Sequence, residues 1–270
     1  MFNKLTVILL LSFCFFSQAV MANLLISPTR ISFDERQRTA KVTVINTSDE
    51  YKTYRVQWSE KQSTSTGGYV TLLEPTATSL SPMTRLSPKQ MRLAPGEKQT
   101  VKIAIRKPKQ LADGEYRSHL LFQALPNENP NSTSSIKINM IMSYSIPVIL
   151  REHAEVPKVL IEQAQVIKNQ SNQRLQFKLK LNRETHFSSY GKLTAFYQQN
   201  ANAKLEAIAE IGNLSIYSDV KNAEVMLSLF SDKTLDKPGT VIFKYIGADE
   251  YQDINFAEYT LAISPRMLQL

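Results

Sequence analysis

Ile136–Leu150 reads IKINMIMSYSIPVIL, and every even position is apolar or aromatic: Ile136, Ile138, Met140, Met142, Tyr144, Ile146, Val148 and Leu150. The odd positions carry Lys137, Asn139, Ser143, Ser145 and Pro147, with Ile141 and Ile149 as exceptions. A period of two marks a strand with one buried face, because successive side chains leave a pleated backbone on opposite sides. At about 3.3 Å per residue the stretch would run roughly 50 Å, two to three times the usual strand. Two readings stand. One is a core strand that bends at Pro147 as it enters a following domain. The other is an edge strand kept for pairing with a second polypeptide, since a long flat apolar edge is a hazard that proteins otherwise suppress.

The same alternation recurs on both sides of this stretch. Ala40–Thr47 places Val42 and Val44 on one face and Lys41 and Thr43 on the other, and Tyr54–Trp58 and Thr100–Ile105 follow suit. Turn signals such as Ala94-Pro95-Gly96-Glu97 and Ala112-Asp113-Gly114 bound these runs. Later strands are expected at 175–181, 192–197, 225–229, 241–245 and 258–263, with a further one at 201–211. No long amphipathic helix interrupts them. A boundary falls near Arg151–Pro157, which predicts an all-β chain of two antiparallel β-sandwich domains, residues 23–152 and 153–270.

The chain has 270 residues, 32 Lys and Arg against 24 Asp and Glu, a formal net charge of +8 and a single cysteine. Met1–Ala22 has a lone basic residue, Lys4, followed by an apolar core of secretory length. It reads as a signal peptide cut after Ala22, with no stable membrane insertion once it is removed. The cysteine, Cys14, lies inside it, so the exported chain would contain neither disulfides nor cysteine metal sites. Its basic residues are scattered singly along the strands, with no Lys/Arg run of the kind that grips nucleic acid.

Catalytic machinery is not apparent. His119, His153 and His186 lack metal-ligand spacing, and there is no His-Glu-x-x-His, no Gly-x-Ser-x-Gly and no phosphate-cradling glycine loop. Asp249-Glu250 falls in a turn without a visible partner. No catalytic residue, metal or cofactor is expected.

Five segments in order resemble the PapD-like periplasmic chaperones of pilus assembly. They are Ile26–Phe33 (ISPTRISF), Val44–Ser48 (VINTS), Arg92–Val101 (RLAPGEKQTV), Asp113–Arg117 continuing to Ala124-Leu125-Pro126, and Ile146–Arg151 (IPVILR). The resemblance implies two immunoglobulin-like sandwiches in an angled, boomerang arrangement. It implies a non-enzymatic chaperone in the periplasm that stabilises pilus or fimbrial subunits by donor-strand complementation and delivers them to an outer-membrane usher. Ile138, Met140 and Met142 would be the inserted row, flanked by Ile136 and Tyr144. Arg30 would grip the subunit's C-terminal carboxylate, and Glu115 and Arg151 would form an interdomain hinge. Family members add a lysine to the anchor, and Pro147 stands in its place here. The alternative is a structural PapD-like sandwich protein serving another envelope assembly without an usher.

Overall fold

The computed structural model describes residues 23–126 and 141–269. Alternation in sequence becomes pleat in space. The strands of the first half are β1 Leu24–Ser27, β2 Ile31–Phe33, β3 Thr39–Asn46, β4 Lys52–Ser63, β5 Tyr69–Leu72, β6 Thr84–Ser87, β7 Gln90–Leu93, β8 Lys98–Ile105, β9 Gly114–Leu125 and β10 Ser143–Glu152. They form one sheet in the order β1-β3-β8-β6 and a second in the order β2-β10-β9-β4-β5, with β7 also on β4. The two sheets bury Val42, Val44, Val101 and Ile103 against Tyr54, Val56, Leu120, Phe122, Ile146 and Val148. Each such side chain stabilises the fold by about 1.5–3 kcal/mol when fully removed from water.

The turn that feeds β8 shows how local chemistry fixes these joins. Pro95 presets φ at the second turn position, and Gly96 takes φ +73°, a left-handed geometry that L side chains resist. Glu97 N then donates to Ala94 O at 3.0 Å. Asn46, fully buried, ties the turn down by donating from Nδ2 to the carbonyls of Glu50, Leu93 and Ala94.

The second half contributes β11 Val159–Lys168, β12 Leu175–Arg183, β13 Ser189–Gln198, β14 Glu206–Ile216, β15 Asn222–Ser228, β16 Gly239–Gly247 and β17 Asn255–Ile263. Their sheets, β11-β12-β15 and β14-β13-β16-β17, enclose a separate core of Phe177, Leu179, Leu181, Leu227, Leu193, Ala195, Val241, Phe243 and Tyr245. Phe177 and Phe243 meet edge to face at 5.0 Å across it. The chain is all-β, with two sandwiches. Among the described residues no helix is long and apolar enough to cross a membrane.

Two strand expectations shift. The run placed at 201–211 starts only at Glu206, because Asn200 closes a turn first: its carbonyl accepts from Ala203 N and its Oδ1 from Asn202 N. In the stretch 136–150, Ile136, Ile138 and Met140 lie outside the described residues. The strand begins at Ser143 and continues to Glu152, and Ile141 and Met142 stand ahead of it.

Candidate functional site

Parity on the β2-β10-β9-β4 sheet decides which side chains leave the core. Tyr116, Leu120 and Phe122 of β9 point inward, so Glu115, Arg117 and His119 project from the other face. Arg151 of β10, Ser32 of β2 and Lys61 of β4 share that face, and Arg30 directly precedes β2. Opposite stand Ser188, Tyr190, Tyr217, Asp219, Glu250 and Tyr251 from the second sandwich.

A buried ion-pair network joins the two sides. Arg151 Nε donates to Glu115 Oε2 at 3.0 Å, Nη1 to Ser32 Oγ at 2.7 Å and Glu250 Oε1 at 2.8 Å, and Nη2 to Ser188 Oγ at 3.0 Å. Ser188 returns two donors to Glu115 Oε2, its N–H at 3.0 Å and its hydroxyl at 2.6 Å. Arg30 Nη1 forks onto both oxygens of Glu250 at 2.7 and 2.8 Å, and its guanidinium lies 4.4 Å over the Tyr190 ring. Burial would raise the Glu250 carboxyl, but Arg30 and Arg151 outweigh it and hold the group below the ordinary carboxylate range. The stability gained from that ionisation is therefore present above the unfolded pKa and disappears as pH falls through the folded value.

A second contact runs through the β4–β5 hairpin. Asp219 Oδ2 accepts from Arg117 Nη2 at 2.8 Å and from Ser63 N at 2.7 Å, and Arg117 stacks 3.9 Å over Tyr217. Ser65 O accepts from Glu224 N at 2.6 Å, so the hairpin tip is bonded to the far sandwich through its backbone. The tip is Gly67-Gly68, both at positive φ near +85°, where a Cβ would strain the turn.

His119 lies between these contacts, 1% exposed, with its ring edge-on to Tyr69 at 4.8 Å. Neither ring nitrogen has a hydrogen-bond partner among the described residues. Burial, with Arg117 and Lys61 adding repulsion, pulls its pKa down to about 3. His119 is therefore neutral in the folded chain at any ordinary pH. An unfolded chain takes up this proton near pH 6.5 and the folded one does not, so stability drops as pH falls from there toward 3. In His119→Leu the acid limb of stability against pH should flatten by up to about one proton, roughly 1.4 kcal/mol per pH unit, in urea unfolding between pH 6 and 4. Parallel slopes in the two proteins would refute the neutral buried imidazole.

The strand β10 has an asymmetric margin. On one side β9 covers it from Ser143 to Glu152. On the other side β2 pairs with it, in parallel, only at Val148, Ile149 and Leu150. Among the described residues Ser143–Pro147 therefore has a ladder on one side only. Pro147, without an N–H, stands one residue ahead of the β2 ladder, an edge position that proline tolerates. Ile146, Val148 and Leu150 are core, Tyr144 packs partly against it, and Met142 is 43% exposed.

Of the residues singled out from sequence, Arg30, Glu115 and Arg151 meet around Glu250 and Ser188, while Met142 and Tyr144 sit at the start of the half-open strand. Arg30 is not a surface residue: its side chain is 5% exposed. Sequence reasoning set Glu250 aside as unpartnered, and it proves to be the acid shared by Arg30 and Arg151. Lys61, Arg117, Ser188 and Asp219 were also missed. Only the odd-numbered parity of β9 could have pointed to Arg117. No group of three or more His, Cys, Asp or Glu among the described residues is placed to hold a metal ion.

Fold and site define the class: an all-β protein of two sandwiches, locked together by buried ion pairs, with a half-open strand at the margin of one sheet. Residues 23–154 match the family described as pili and flagellar-assembly chaperone, PapD N-terminal domain. Through that segment the first sandwich, up to the end of β10, is identified as a PapD-like chaperone N-terminal domain. No curated protein matches it. Among solved structures it is similar to a chain of the Salmonella enterica SafA pilin–SafB chaperone complex, at 12% identity and TM-score 0.46, covering 92% of this chain and 99% of that one. It is similar to the E. coli chaperone DraB at 14% identity and TM-score 0.45, covering 90% and 97%. It is also similar to the Pseudomonas aeruginosa CupB2 chaperone at 12% and 0.45, covering 89% and 100%.

Proposed function

We propose that this chain is a periplasmic chaperone that captures pilus or fimbrial subunits by lending them β10 as a missing strand, and passes them to an outer-membrane usher. The observation that carries the reading is the free side of Ser143–Pro147. Backbone groups there are available for ladder bonds to any sequence, and alternate apolar side chains supply the packing. Met142 and Tyr144 lie at the described end of the row, and Ile136, Ile138 and Met140 would extend it. Methionine suits the task because its flexible, polarizable side chain adapts to different grooves. Arg30 keeps Nε and Nη2 buried and unpartnered while Nη1 holds Glu250, which leaves one bidentate edge able to take a carboxylate. Glu115 and Arg151 set the hinge between the sandwiches.

The test is co-expression with the pilin-type products of neighbouring open reading frames, followed by purification. The expected result is a one-to-one complex that Met142→Asp and Met140→Asp each abolish, because a charge in a dry groove is left uncompensated. A complex recovered undiminished from both variants would overturn strand capture. Retention of that complex by the co-expressed usher's periplasmic domain tests the delivery step, and failure of the usher to bind would remove it.

A further inference from the structure

The outward face of the β1-β3-β8-β6 sheet carries charge of one sign. Parity turns Val42, Val44, Val101 and Ile103 into the core, so Lys41 of β3, Lys98 and Lys102 of β8 and Arg85 of β6 project the other way, all exposed. The remaining outward positions hold Leu, Ile, Thr, Ser and Ala, with no Asp or Glu and no aromatic. Lys41 and Lys102 are direct cross-strand partners, and Arg85 stands opposite Ala104, one diagonal step from Lys102. Like charges opposite each other in a ladder are destabilising. Among the described residues none of these four cations has an ion-pair partner. The second sandwich is built differently: Lys178, Lys192 and Lys244 each face a carboxylate on the neighbouring strand, Glu224 at 2.9 Å, Glu210 at 3.7 Å and Glu258 at 3.1 Å.

The carboxylates on the segments flanking β3 and β8 bound this face without entering it. Ahead of β3, Asp34 accepts from the backbone of Arg36 and Gln37, and Glu35 accepts from His153 N. Beyond the far end of β3, Asp49 and Glu50 occupy the turn, where Glu50 holds Lys52. Glu97 precedes Lys98 and accepts from Ala94 N, and Asp113 meets His153. Lys98 therefore has an acid next to it in sequence, and the anion-free patch is Lys41, Lys102 and Arg85. It lies on the back of the first sandwich, away from the sheet face that carries Glu115 and Arg151.

We infer that this patch docks the protein reversibly on an anionic phospholipid surface, with Lys41, Lys102 and Arg85 set against the headgroup phosphates. Charge complementarity selects the occupant. A protein partner is usually anchored by Trp, Tyr and Arg, and of these only Arg85 is present. Single-stranded nucleic acid would need aromatic platforms for its bases, which the face lacks. Lysines standing above small Thr, Ser and Ala side chains are hydrated point charges, suited to a diffuse layer of phosphates with no fixed register. Docking through this side would leave the free margin of Ser143–Pro147 and the junction of the sandwiches clear of the lipid. The inference does not depend on strand capture.

The probes are vesicles of phosphatidylcholine alone and of phosphatidylcholine with an equal part of phosphatidylglycerol, sedimented with the full chain from Asn23 onward. At about 0.05 M salt the mixed vesicles should bind about a hundredfold more tightly, from three cations at about fivefold each. At about 0.5 M salt screening should remove the difference. Lys41→Gln with Lys102→Gln should lower the affinity about 25-fold. This double variant should unfold in urea no earlier than the parent, since a repulsion has been relieved. Lys178→Gln with Lys244→Gln removes the same charge from the second sandwich and should change vesicle affinity less than about twofold, because screening confines the effect to charges near the lipid. Equal losses in the two double variants would reduce the effect to net charge and overturn the patch. So would equal binding to the two kinds of vesicle, or mixed-vesicle binding that survives Lys41→Gln with Lys102→Gln. Tighter binding of soluble polyglutamate than of mixed vesicles, with the same dependence on Lys41 and Lys102, would assign the face to an acidic protein and overturn the lipid.

Discussion

Arg151→Ala should destabilise the chain by about 3–5 kcal/mol, the usual result of removing one partner from a buried ion pair. Glu115 is wholly buried and Arg151 is 6% exposed at the side chain, so water cannot replace the guanidinium. The alanine variant would leave Glu115 with only the Ser188 donors, and Ser32 Oγ and Glu250 would each lose a bond. Replacing both members, as Glu115→Leu with Arg151→Met, should cost much less, because no orphaned charge is then left inside. Urea unfolding of the three proteins decides the matter. A loss below about 1 kcal/mol in Arg151→Ala would mean that the pair behaves like an exposed one.

Gly247→Ala should be the next most damaging single change, although it adds one methyl. A Cβ on Gly247 would come within 2.1 Å of Tyr251 O and 2.8 Å of Tyr251 Cβ, so backbone must move. The moving part is the short turn Asp249–Tyr251, which carries Glu250. Overpacking of this kind typically costs about 1–3 kcal/mol. The distinctive expectation is a second effect: Glu250 withdraws from Arg30 and Arg151, and the two sandwiches loosen. Small-angle scattering should show a broader distribution of dimensions for the folded variant than for the parent. Unchanged stability and unchanged scattering together would show that the turn yields freely.

What the sequence revealed was mostly what a period of two can encode. Ala40–Thr47 and Thr100–Ile105 alternate cleanly and appear as Thr39–Asn46 and Lys98–Ile105. The strand Val159–Lys168 escaped notice because a bulge between Ile161 and Gln163 breaks its register, so VLIEQAQVIK does not alternate. Tyr69–Leu72 and Thr84–Ser87 are four residues each with little buried surface, too short and too wet to leave a pattern. The ion-pair network was harder still. Arg30 and Glu250 are 220 residues apart, and nothing local to a turn acid indicates which guanidinium will cover it. Arg30, Glu115 and Arg151 were found through family likeness, not through periodicity. The bond from Lys61 to Ser145 could not be anticipated, because it depends on three strands lying side by side.

The three-residue parallel ladder between β2 and β10 also sets a phase. A strand captured along Ser143–Pro147, as proposed, would meet the beginning of β2 as a wall and could not slide further toward Val148. Since a slip of one residue would turn every side chain to the opposite face, a fixed stop acts as a ruler for whatever docks. Guests of unrelated sequence would all be measured from the same mark.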